Sequence, residues 1–199
     1  MSDKTLENER REYFRVKNWM IINQDIIDNI EDIPQFDDLT TINSPRITLL
    51  QELTKLENEN QAYLTSLTEK QSQLGNYLLN LNKKVELLTH FVIQSLNTNQ
   101  DDLTEVDISG GGIRYRTNEL YPVDQLMKIE IVLVPECIGI VAYARVVDSR
   151  AIDNGQHETA LIFVKLKETD RDAIIRHVFK VQSKQLRMHK KNNSNNQQN

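Results

Sequence analysis

The chain has 199 residues, is 39% hydrophobic and 27% charged, and carries a formal net charge of −5. That is enough for one good core with an appendage, and the apolar share excludes a disordered chain. The acidic balance argues against bulk attraction to nucleic acid or an anionic membrane, and the single cysteine, Cys137, excludes an internal disulfide or a thiolate zinc site.

The opening residues, MSDKTLENERRE, lack the apolar stretch of a signal peptide. The longest purely aliphatic run, Ile131–Val134, is far too short to span a bilayer. A cytoplasmic protein without membrane insertion is expected. Arginines bunch near the start, at Arg10, Arg11 and Arg15. The stretch FRVKNWMII that follows is rich in β-branched and aromatic residues and predicts a first strand. An acidic connector then runs to Thr41, interrupted by Pro34. Residues 1–43 thus form an arm, a strand and a connector.

Residues 44–98 carry the strongest helical pattern. Ser44 suits an N-cap and Pro45 the first helical position. Leu50, Leu53, Leu64, Leu67, Leu74, Leu78, Leu81, Val85, Leu88 and Val92 then recur at alternating steps of three and four. A period of 3.5 residues is that of a coiled coil. Leu49, Leu56, Tyr63, Tyr77 and Phe91 widen the apolar stripe, which favours a three- or four-stranded bundle over a two-stranded one. A single helix of this length would extend to roughly 80 Å, too far for the remaining chain to cover. Self-association, most simply as a homotetramer, is expected. Gly75 is the weak point of the pattern, at about 1 kcal/mol relative to alanine.

Residues 99–190 read as sheet followed by helix. LTEVDIS, IRYRT, LMKIEIVLV, CIGIVAYARVV and ETALIFVKLK predict closely spaced strands, with a turn at Asp153–Gly155. Such a run suggests a small antiparallel barrel. Ile174, Ile175, Val178, Phe179 and Val181 then form the apolar face of a last helix. Residues 191–199 are low in complexity and are expected to be disordered.

Two stretches carry chemistry. Guanidinium groups bind phosphate oxygens bidentately and also match the O6 and N7 edge of guanine. Arg11 and Arg15, four apart, fall on roughly one side of the chain. In EVDISGGGIRYR, Asp107 could accept from the N1 and amino donors of a guanine, and Ser109 could bind a phosphate or orient the turn. Gly110, Gly111 and Gly112 would permit positive φ and the close approach of a flat ring. Together these residues make a reader for guanine linked to phosphate. The glycines match neither G-x-G-x-x-G nor a Walker A loop. His90, His157, His177 and His189 have no metal-ligand spacing, so neither a metal site nor an enzyme is expected.

The pair of motifs resembles the PilZ domain family. RREYFR matches its R-x-x-x-R motif at Arg11 and Arg15, and DISGGG its [D/N]-x-S-x-x-G motif at Asp107, Ser109 and Gly112. The resemblance implies an α+β fold, a six-stranded antiparallel barrel with a C-terminal helix. It also implies a bacterial receptor for cyclic di-GMP, commonly held as an intercalated dimer of ligands. Arg10, Arg11, Arg15, Asp107, Ser109 and Gly112 would contact the nucleotide. The inserted helix departs from ordinary members and is similar to an atypical, tetramer-forming subfamily, some of whose members lack the motifs. Two other readings compete with this one. A ligand-independent oligomeric scaffold would bind a protein partner through the barrel. A nucleic-acid binder would use the basic stretch Arg171–Arg187, against the acidic total.

Overall fold

The structure is a computed structural model, and it describes residues 13–29, 31, 33–34, 43–70, 72–96, 103–152 and 155–195. Six strands form a closed antiparallel barrel: β1 (Val16–Ile27), β2 (Leu103–Ser109), β3 (Gly112–Thr117), β4 (Leu126–Leu133), β5 (Ile138–Ala151) and β6 (His157–Leu166), in the order β1-β2-β3-β6-β5-β4. Three helices accompany it, α1 (Pro45–Lys70), α2 (Ser72–Leu96) and α3 (Glu168–Asn195). Alternation along the strands sends Met20, Ile108, Ile113, Met127, Ile129, Ile131, Ile140 and Leu161 into the interior. Ala173, Ile174 and Val178 of α3 join the same cluster, so this helix closes the barrel. With no proline or glycine after Gly155 to stop it, α3 continues to Asn195, five residues past the end expected at 190.

A second apolar cluster lies on the outer face of the barrel. Ile21, Val132, Cys137, Val141 and Tyr143 meet Ile47 and Leu50 from the first turns of α1. Ser44 begins the helix as expected, accepting from the Ile47 amide at 3.4 Å through its hydroxyl. Its own amide donates to Glu130 Oε1 at 2.8 Å, and Lys128 Nζ meets the same oxygen at 2.8 Å. Burial raises the pKa of Glu130, but the bonds from Lys128 and Ser44 outweigh it and hold the carboxyl below its ordinary value.

The inserted segment is not one rod. Helices α1 and α2 fold back on each other as an antiparallel hairpin: Glu57 and Gln61 border the same groove as Asn82, Lys83 and Glu86, and Leu64 the same groove as Leu79. Near the tip, a Cβ built on Gly75 would lie 2.5 Å from the Thr68 Cα, so the helices close tightly at that point. The heptad pattern is therefore divided between an internal and an external use. Leu53, Leu64, Leu67 and Leu78 are half-buried, whereas Leu74, Leu81, Val85, Leu88 and Val92 stay exposed. Leu50, expected on the oligomer seam, is instead fully buried against the barrel, where it packs over Gly139. The expected length of roughly 80 Å falls to about 40 Å, the length of a 26-residue helix.

Candidate functional site

The first strand brings the end of the arginine arm to the glycine turn. Val16 pairs with Ile108 and Lys17 with Asp107, so Arg15 directly precedes the end of β1 that lies against Ile108. On the other side of β2, Asp107 pairs with Arg114 and Ser109 with Gly112. The half-buried Asp107 thus stands between a lysine and an arginine on neighbouring strands. Lys17, Glu105, Asp107, Arg114, Arg116 and Glu158 border one shallow depression of about 190 Å³ on the outer wall. Glu158 holds Arg150 at 2.5 Å and lies 3.7 Å from an Arg114 amine. The buried Arg114 Nε, on the strand next to Asp107, has no hydrogen-bond partner. Arg10 and Arg11 lie outside the described residues.

The turn itself is held by its own residues and by α3. Ser109 Oγ donates to the Gly112 carbonyl at 3.3 Å, and the Phe163 amide to the Gly111 carbonyl at 3.0 Å. Arg171 of α3 donates to the Gly110 carbonyl. None of Gly110, Gly111 and Gly112 has φ in the left-handed region, contrary to the expectation of positive φ. Close approach accounts for them instead. A Cβ on Gly110 would lie 2.9 Å from the Tyr13 ring and 3.0 Å from Ile175 Cγ1. The flat ring expected against this turn is therefore one of the chain's own, and Gly112 is crowded by the neighbouring strand rather than open to solvent.

Sequence reasoning did not bring Tyr13, Phe14, Arg171, Ile175 or Phe179 to the glycine turn and its surroundings. Tyr13 covers the turn and Phe14 meets Phe179 of α3, with ring centroids 6.2 Å apart. The signal was present, since the aromatic pair sits inside RREYFR and Phe179 on the apolar face of the last helix.

Beside β1, α3 is tied to the barrel by a polar cluster. His177, only 2% exposed, lies 2.9 Å from Asn18 of β1 through Nε2 and 2.9 Å from Glu136 through Nδ1. With Nε2 accepting from the Asn18 amide, Nδ1 carries the proton and donates to the carboxylate. Lys180 Nζ meets the other Glu136 oxygen at 2.8 Å. The His177 bond, aided by Lys180 and opposed by burial, holds the Glu136 carboxyl down at about 2. Elsewhere on α3, burial pushes the Asp170 carboxyl up to about 6 against the pull of Lys167. No group of three or more His, Cys, Asp or Glu side chains suited to a metal ion occurs among the described residues. Nor, among them, is any helix long and apolar enough to cross a membrane.

A closed six-stranded barrel, a C-terminal helix that closes it and a polar depression on the outer wall define a small α+β barrel. Residues 82–180 match the PilZ domain model, and the chain is a PilZ-domain protein. The match starts within α2 and omits β1, which the structure nonetheless places in the barrel. A solved structure of similar fold is that of a pathogenic protein from Xanthomonas campestris. That protein is described as a tetrameric PilZ domain self-assembled via an unusual helical bundle. It shares 19% identity and a TM-score of 0.56, over 92% of this chain and 97% of that one. No curated protein sequence matches.

Proposed function

We propose that the protein is a cyclic di-GMP receptor that acts as an oligomeric adaptor rather than an enzyme. The observation that supports this reading is the β1–β2 register, which pairs Lys17 with Asp107 and Val16 with Ile108, and so brings the residue after Arg15 opposite the residue before Ser109. In this reading Arg15, with Arg10 and Arg11, grips phosphates and guanine edges. Asp107 accepts from the N1 and amino donors of a guanine. Ser109 and Gly112 shape the turn. Ligand that binds the ordered arm better than the free arm shifts the population toward the ordered state, and that difference in affinity is the whole signal.

Calorimetry with cyclic di-GMP tests this directly. Arg15→Ala and Asp107→Asn are each expected to weaken binding by about ten- to a hundredfold. Heats equal to wild type in both variants would remove the site.

The assembly half rests on the hairpin. Tyr63, Tyr77, Leu88 and Phe91 are between 63% and 71% exposed, far more apolar surface than a lone hairpin needs to show. Homotetramer formation through this surface fits the Xanthomonas protein's bundle. Leu88→Asp with Phe91→Asp is expected to reduce the mass seen by sedimentation equilibrium from oligomer to monomer, with the far-ultraviolet spectrum unchanged. An unaltered mass would rule this surface out.

A further inference from the structure

The polar depression does not stop at the motif residues. Val16 and Met20 of β1 point into the core, so Lys17 and Trp19 point out. Trp19 is 55% exposed and is the only tryptophan in the chain. Its cross-strand partner is Glu105, two residues before Asp107 and on the same outer face. Arg114 lies beside Asp107 in the β2–β3 register, and Arg116, one residue beyond its last pair Val106–Tyr115, borders the same depression as Glu105. The wall therefore presents two rows: Lys17, Asp107 and Arg114, then Trp19 and Glu105, with Arg116 bordering the same depression. Each row has a carboxylate.

From this juxtaposition we infer that Trp19 and Glu105 form a second purine seat beside that of Asp107. The inference deepens the receptor reading and rests on it. Two residues along a strand separate the carboxylates by about 6.8 Å. Stacked bases rise by about 3.4 Å, so two bases with one ring between them are also about 6.8 Å apart. The row spacing thus suits two guanines with one planar group inserted between them. Glu105 accepts from the N1 and amino donors of the second guanine, as Asp107 does from the first. Trp19 supplies the aromatic face against which that base stacks, a contact open to any base. Glu105 supplies the choice, because adenine has no donor at N1. Arg116 faces a phosphate. A tryptophan that contributes little to the core gains a role on the wall.

The experiment follows the fluorescence of Trp19, which has no other tryptophan to mask it, alongside calorimetry on the same samples. Cyclic di-GMP is expected to quench the emission in parallel with the heat. Trp19→Ala is expected to weaken binding by roughly ten- to a hundredfold, with Trp19→Phe restoring most of it. Glu105→Gln is expected to weaken cyclic di-GMP by about tenfold while leaving a mixed guanine–adenine cyclic dinucleotide unaffected, so that discrimination between the two is lost. Normal heat with unchanged emission, or wild-type affinity in Trp19→Ala, overturns the second seat and leaves the receptor reading standing. No heat in the wild type overturns both. Wild-type discrimination in Glu105→Gln removes the reading role of that carboxylate.

Discussion

Gly112→Ala is expected to cost about 4 kcal/mol or more of folding stability, most of the margin of a weakly stable domain. The added Cβ would lie 2.2 Å from the Leu161 carbonyl oxygen, an atom of the adjacent strand with no side-chain freedom to yield. The β3–β6 ladder, in which Gly112 pairs with Ile162, would have to part where the barrel closes. Gly111→Ala is the control. Its Cβ would meet only the Tyr13 ring, at 3.2 Å, and that ring can shift. Urea midpoints followed by circular dichroism separate the two, and similar midpoints would refute the explanation. The motif glycine is thus required by barrel closure, independently of any ligand.

Glu136→Ala should be nearly as damaging, at about 2–4 kcal/mol near neutral pH. The variant leaves the buried His177 proton without its acceptor and releases Lys180. The loss carries a pH signature. The carboxyl ionises at about 2 in the folded protein against an ordinary 4.5, so the unfolded chain binds more protons between those values. The stabilisation is whole above roughly pH 5 and drains away as pH falls toward 2. Wild type and variant should therefore differ most near pH 7 and converge near pH 2 in denaturant titrations. A constant gap across that range would show that the charge is not what holds α3 to the barrel.

Much of the barrel was legible because alternation is a local signal. FRVKNWMII became β1, and the strands from Leu103 to Leu166 lie where β-branched runs and turn residues put them. The helix start at Ser44 and Pro45 was equally plain, since capping depends on a few adjacent residues. The hairpin was not legible, for a physical reason. A 3.5-residue period says that a face is buried, and α1 against α2 satisfies it as well as a partner chain does. No proline marks the reversal between Lys70 and Ser72, and only the polar run Thr68–Gln73 and Gly75 hinted at it.

The candidate site shows the same division. That the motif stretches around Arg15 and Asp107 approach one another could be expected from the sequence, and β1 and β2 are neighbours in the barrel. The partners of the turn could not. Tyr13 and Ile175 meet the glycines from segments more than 150 residues apart. Lys17 and Glu105 required the register, since one residue of slip would turn both side chains to the opposite face.

Because α1 leaves the barrel and α2 runs back antiparallel to it, the inserted limb behaves as an extensible mast. Seven residues added to each limb would carry the tip about 10.5 Å farther out. Its footing at Ile47, Leu50 and Ser44 would not move, nor would the wall where Asp107 stands. Reach and recognition can therefore change independently, in paired increments of one heptad.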